Sequence, residues 1–278
     1  MIKNARSLMD RCKNYSNANN VRVQDVLTNF MFERFLDRLS HSSYRNQFII
    51  KGGVLLSNIM GLDMRTTKDI DADLINMFFN QENVEKMIID VINIDLEDGI
   101  SFEYQEISPI KEDNKYGGYR FKLMARFEQI RLPFVIDISY GDIIIPEAIK
   151  YEYRTTLEDN IIELYSYNYE SVIAEKLQII LSKGLRNSRL KDFYDIYYFV
   201  KYKWNKVDQE LIKSAIHIKF RHQNIEYLLD EFNEIMFKIQ ESENLYIKWE
   251  AFRKRKVYAR DIEYTELIEA IKKMKELL

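Results

Sequence analysis

The apolar positions along the chain fall into three successive textures. Up to about residue 45, Val26, Phe30, Phe35 and Leu36 recur at helical offsets, which predicts one or two opening helices. The period then changes. Phe48–Ile50 reads as a short apolar strand, Gly52-Gly53 as a break, Val54–Met60 as a helix, and residues 68–74, after the leading Lys68, alternate acidic and apolar side chains with the period of a strand. A helix over about residues 80–94 places Val84, Met87, Ile88, Val91 and Ile92 on one face. Strand-like runs follow at 102–107, 119–128 and 132–140, the first two joined by a turn that ends in Gly117-Gly118. Beyond Gly184 the chain has neither Gly nor Pro. Leu211, Ile212, Ala215 and Ile216, then Ile225, Leu228, Leu229 and Phe232, keep the spacing of amphipathic helices. The expected class is therefore α+β: residues 1–165 hold N-terminal helices and a mixed β-sheet, and residues 166–278 form a helical bundle. The division near residue 165 is a change of texture, with no low-complexity linker.

Composition narrows the function classes. At 46% hydrophobic and 31% charged residues the chain has enough apolar material to fold. Lys and Arg number 41 against 44 Asp and Glu, so any nucleic-acid surface must be local, not a global basic field. The one cysteine, Cys12, excludes an internal disulfide and a cysteine metal centre. With no signal-peptide pattern and no apolar run of about 18 residues, the expected location is cytoplasmic, without membrane contact.

The chemistry concentrates in KGGVLLSNIMGLDMRTTKDIDADL, residues 51–74. On a strand Asp69, Asp71 and Asp73 project from one face, and carboxylates so close raise one another's pKa unless a cation neutralises them or solvent screens them. Further on, LPFVIDISY sets Asp137 inside an otherwise apolar strand, where a lone carboxylate is costly to bury unless it is paired or bound to metal. A third acid on an adjacent strand suits a two-metal site with oxygen ligands for Mg²⁺. The competing expectation is an ion pair with Arg120, Arg126 or Arg131. Gly52-Gly53 precede the short helix, whose first N–H groups can face phosphate, although no P-loop pattern is present.

Two later segments add charged residues at helical positions. In YESVIAEKLQIILSK, Lys176 falls inside the apolar stripe of Val172, Ile173, Leu177, Ile180 and Leu181, so it must snorkel or reach a buried anion. In RNSRLKDFYDIYYF, Ser188 is the expected N-cap and Asp192 and Asp195 lie one turn apart. The densest basic run, KWEAFRKRKVYAR, interleaves Arg253, Lys254, Arg255, Lys256 and Arg260 with Trp249, Phe252 and Tyr258. That arrangement permits phosphate contacts with base stacking, or a solvated face paired with Glu250, Asp261 and Glu263.

Taken together, the KGG turn, R-T-T-K-D-I-D, the isolated late acid, E-K-L and R-x-K-D-x-x-D resemble the AbiEii/AbiGii family of nucleotidyltransferase-like toxins, in the DNA polymerase β-like nucleotidyltransferase superfamily, over about residues 46–200. The resemblance implies a nucleotidyltransferase fold with a following helical domain, an NTP with two Mg²⁺ ions, and a role in type IV toxin–antitoxin and phage abortive-infection systems. It further implies transfer of NMP to an RNA acceptor, expected to be tRNA, and a cognate antitoxin encoded nearby. By position, Gly52, Gly53 and Thr67 would contact the triphosphate and Asp69, Asp71 and Asp137 would hold metal. Lys176 would reach phosphate and Asp192 would assist in positioning nucleotide or acceptor; both count, with the three metal-binding acids, among the expected catalytic residues. Two departures accompany the resemblance: a long interval between Gly53 and Asp69, and the extra acid Asp73, expected to be a solvated neighbour. The alternatives are a nucleotidyltransferase acting on a small molecule such as an antibiotic, and a catalytically idle nucleotide- or RNA-binding protein.

Overall fold

A computed structural model describes residues 2–110 and 117–278, so the turn read before Gly117-Gly118 lies outside the described residues. The class is α+β, and the chain divides into two compact units. The first takes the residues up to Asp142 together with Ile149–Ser166, and the second takes Ile143–Ala148 together with Tyr167–Leu278.

In the first unit, helices α1 (Ala5–Asn19) and α2 (Val23–Ser40) precede strand β1 (Phe48–Lys51), helix α3 (Gly52–Met60), β2 (Asp69–Leu74), α4 (Gln81–Ile92), β3 (Ile100–Pro109), β4 (Gly118–Phe127), β5 (Ile130–Tyr140), β6 (Ile149–Arg154) and β7 (Ile161–Ser166). Among the described residues the strands form one seven-stranded sheet in the order β3-β4-β5-β2-β1-β7-β6. It is mixed: β2 runs parallel to β5 and β1 parallel to β7, while the remaining neighbours are antiparallel. The edge strand β6 escapes the hydrophobic pattern because Lys150, Glu152 and Arg154 alternate with tyrosines on a solvent-facing edge, where charge also discourages pairing with another chain.

The period of two divides the sheet into unlike faces. Ile70, Ala72 and Leu74 of β2 and Phe134, Ile136 and Ile138 of β5 are buried on one face. Helix α2 packs there: the Phe35 ring lies 6.3, 6.2 and 6.1 Å from those of Phe48, Phe102 and Phe134, all tilted or edge-on as ring quadrupoles favour. Buried Arg38, also on α2, reaches Asp98 at 2.8 Å and the Ile100 carbonyl at 2.7 Å, which ties the start of β3 to the helix. The other face carries the alternating acids.

The second unit is helical: α5 (Tyr169–Lys183), α6 (Leu190–Tyr198), α7 (Gln209–His222), α8 (Tyr227–Asp230), α9 (Phe232–Gln240), α10 (Glu243–Arg255) and α11 (Tyr264–Lys272). Side chains of Asn168, Asp208 and Ser242 cap α5, α7 and α10 by accepting first-turn N–H groups. The expected Ser188 cap of α6 is absent. The N-cap position is Arg189, whose own N–H donates to Asn187 Oδ1 at 2.7 Å, so the residue one place earlier shapes the turn. Among the described residues no helix is long and apolar enough to cross a membrane.

Candidate active site

The site grows from strand register. Lys51 on β1 pairs with Asp71 on β2, Asp71 with Asp137 on β5, and Asp137 with Arg120 on β4. Paired residues project from the same face of a sheet, so four adjacent strands present a row of cation, acid, acid, cation. Asp69 stands two residues before Asp71 on that face. One oxygen from each of Asp69, Asp71 and Asp137 lies within 4.8 Å of the others, all three side chains being half-buried. This is the separation at which one cation can touch several carboxylates.

Each acid is held by a different device. Thr67 Oγ1 donates to Asp69 Oδ1 at 2.7 Å. The N–H of Gly53 donates to Asp71 Oδ2 at 3.0 Å. Helix α3 has no side-chain cap of its own at Lys51, so the Asp71 carboxylate supplies the missing acceptor and sits at the positive end of the helix dipole. The glycine pair does not precede α3, as its break in the pattern implied, but forms its first two residues. A Cβ on Gly52 would come within 2.2 Å of Asp71 Oδ2 and one on Gly53 within 2.2 Å of Thr67 Oγ1, and Gly52 also has a φ of +56°. The glycines therefore let the acidic strand and its approach loop close against α3.

Asp137 is gripped by a fork: Arg120 Nε reaches Oδ1 at 2.7 Å and Nη2 reaches Oδ2 at 2.6 Å. The hydrogen bond to Asp137, reinforced by the charges of Asp137, Asp69 and Asp71, raises the Arg120 pKa, so the guanidinium stays charged. Both sequence expectations for Asp137 are thus present together, an ion pair and membership of an acid cluster. Arg120 entered the sequence reading only as a possible counter-ion. Its signal was available: a tight turn at residues 128–129 folds the runs 119–128 and 132–140 so that Arg120 faces Asp137. Lys51 is paired with Asp142 at 2.5 Å.

Asp73 is not a solvated neighbour. It is fully buried on β2, between β1 and β5, with Ser139 Oγ donating to Oδ1 at 3.1 Å.

The second unit gathers the other expected residues. Lys176 is 2% exposed, and its ammonium donates to Asp192 Oδ1 at 2.8 Å with Asp195 Oδ2 at 3.7 Å. Arg189 Nε lies 3.1 Å from the other Asp192 oxygen. Burial alone would lower the Lys176 pKa and raise that of Asp192; the attraction of Asp192 and Asp195 for the lysine, and of Lys176 and Arg189 for Asp192, reverses both, so the pair stays ionised. Lys176 does not snorkel; it answers a buried anion.

In the basic run, Trp249 is fully buried and donates its indole N–H to the Ile262 carbonyl at 3.1 Å, so it cannot stack on a base. Its apolar neighbours claim it, with Phe252 stacked 5.3 Å away. Arg253 is engaged by the Ile262 carbonyl, Glu263 at 3.0 Å and Glu250 at 3.4 Å. Lys254, Arg255 and Arg260 are exposed.

Residues 34–270 match the family described as nucleotidyl transferase AbiEii toxin, type IV TA system. Comparison with curated proteins gave no match. Two solved structures share the fold: JHP933 from Helicobacter pylori, with a TM-score of 0.52 at 14% identity over 92% of this chain and 91% of that one, and a candidate nucleotidyltransferase from H. pylori, with a TM-score of 0.51 at 15% identity over 91% of this chain and 92% of that one.

Proposed function

The chain belongs to the AbiEii family of type IV toxin–antitoxin nucleotidyltransferases, and from that premise we propose that it transfers NMP from an NTP to an RNA acceptor, tRNA foremost, at the Asp69–Asp71–Asp137 cluster with Mg²⁺. The observation that carries the proposal is the convergence of the three carboxylates from adjacent strands, with oxygens within 4.8 Å. An all-carboxylate donor set without nitrogen or sulfur fits Mg²⁺. Divalent cations held by Asp69, Asp71 and Asp137 would supply Lewis-acid activation of the acceptor hydroxyl and neutralise charge on the leaving pyrophosphate.

The chain's own residues supply position. Thr67 and the Gly53 N–H fix Asp69 and Asp71, so these ligands need little reordering to bind. Asp137 would accept the proton of the attacking hydroxyl, a role that requires the Arg120 fork to open. Gly52 and Gly53 at the start of α3 and Thr67 packed against them are the proposed triphosphate contacts, with the Gly53 N–H already given to Asp71. The second unit's proposed contributions are Lys176, for phosphate, and Asp192, for nucleotide or acceptor; each role requires their ion pair to open. An antitoxin encoded nearby is the expected partner.

The test is incubation of purified protein with total tRNA, Mg²⁺ and each labelled NTP in turn. The proposal expects label in tRNA, and a loss on the order of 10²-fold or more in Asp69→Asn and Asp71→Asn proteins that keep their far-UV circular dichroism. Label in a small molecule would move the acceptor class. Unchanged transfer in both variants would remove the cluster from the chemistry.

A further inference from the structure

Arg120, a cation of the charged row, has as its partner an acid that is itself a member of the cluster. Its fork takes both oxygens of Asp137, and its place on β4 opposite Asp137 puts it on the acid-bearing face. Arg120 has a side chain 46% exposed and Asp137 one 17% exposed, so the guanidinium can swing outward while the carboxylate cannot follow. A carboxylate with both oxygens in a bidentate pair can serve a metal ion only by giving up at least one of those bonds.

We propose that Arg120 is a positioning residue that occupies a cation place in the cluster, so that the nucleotide-free protein holds one divalent ion between Asp69 and Asp71 and a second enters only as the guanidinium leaves Asp137. This rests on the metal-dependent reading of the cluster. Three acids so close repel one another, and Arg120 offsets part of that repulsion whenever the second ion is absent. Arginine suits the task because its planar fork stays charged and matches a carboxylate edge. Once displaced, the half-exposed guanidinium is free to meet negative charge that a nucleotide brings to this face. Arg120 thereby couples the second ion to the arrival of nucleotide. A site made of carboxylates alone would fill with both ions at a concentration set by affinity alone.

The experiment is Mn²⁺ titration of the full chain, free Mn²⁺ being counted by electron paramagnetic resonance, for wild type, Arg120→Gln, Arg120→Lys and Asp71→Asn, with and without a non-hydrolysable NTP analogue. Wild type is expected to bind one ion without the analogue and two with it. Arg120→Gln should bind two without it, the second tightened by about tenfold or more, the equivalent of one charge-assisted hydrogen bond released. Arg120→Lys, a point charge lacking the fork, should fall between. Equal stoichiometry and affinity in wild type and Arg120→Gln, while Asp71→Asn loses the ion, would overturn the role of Arg120 and leave the metal site intact. Equal binding by wild type and Asp71→Asn would overturn both. Far-UV circular dichroism and thermal melting of each variant establish that a changed titration comes from a folded protein.

Discussion

Replacement of Lys176 by Met tests how much of the second unit depends on a buried charge. Read as a stripe residue, Lys176→Met preserves the stem and should be harmless; the structure reverses that. Lys176 stands 2.8 Å from Asp192 and 3.7 Å from Asp195, and both aspartate side chains are fully buried. At an effective dielectric constant near 20 the nearer pair attracts by about 6 kcal/mol. Removing two ions from water costs several kcal/mol each, so the intact pair adds little net stability. Deleting one member is different, since it keeps the desolvation of the carboxylates and discards the attraction. The expected loss is about 3–5 kcal/mol, seen in urea titration by circular dichroism as a midpoint lowered by about 2 M for a slope near 2 kcal/mol/M. Lys176→Met/Asp192→Asn should recover about 2 kcal/mol of that loss. The pH dependence has a defined sign. The depressed Asp192 pKa contributes stability above the unfolded value of about 3.9 that is lost as pH falls through the folded one; the raised Lys176 pKa contributes stability below about 10.4 that is lost as pH rises through the folded one. The difference between wild type and Lys176→Met should therefore be flat from about pH 5 to 9.5 and shrink outside that window. A loss under about 1 kcal/mol, or a double variant no more stable than the single, would refute the argument. The same coupling means that weaker NTP binding by Lys176→Met demonstrates a phosphate contact only if the variant's fold is intact.

Gly53→Ala should abolish transfer while sparing most of the helix, because the new Cβ meets Thr67 Oγ1 at 2.2 Å and displaces the residue that orients Asp69; activity close to wild type would show that this packing is slack. Glu33 is fully buried between the Asn29 amide and the Thr156 N–H, and burial raises its pKa to about 7. A raised folded pKa gives stability that is full below the unfolded value and fades as pH rises toward 7, so Glu33→Gln should remove a pH-dependent loss of about 3 kcal/mol across pH 4.5–7, measured by denaturation at several pH values; an unchanged slope would count against the burial argument. Neutralising Lys254, Arg255 or Arg260 singly should reduce the salt slope of tRNA binding by roughly one unit each without altering NTP affinity. Equal slopes throughout would move the RNA surface off this run, whose Arg253 is already engaged by Glu263 and the Ile262 carbonyl.

Much of this protein could be read from its sequence, because the information was local. The strand of alternating acids announced that Asp69 and Asp71 share a face, the Gly52-Gly53 break marked a close approach, and helical spacing separated a sheet-bearing half from a helical one. A period of two or of 3.6 is set by the backbone itself, so it survives without knowledge of neighbours. Tertiary structure decided what depends on which elements meet. Strand order placed Asp137 beside Asp71, and hairpin register put Arg120 on both oxygens of Asp137. Packing around β2 turned Asp73 from a surface neighbour into a buried acid held by Ser139, and packing of α6 near α5 gave Lys176 its anions. The Gly53 N–H, a phosphate donor by local logic, found a carboxylate from a strand folded against it. In each case the side chain's chemistry was plain from its identity, and its role waited on a partner distant in sequence, because the energy of a charge is set by what surrounds it.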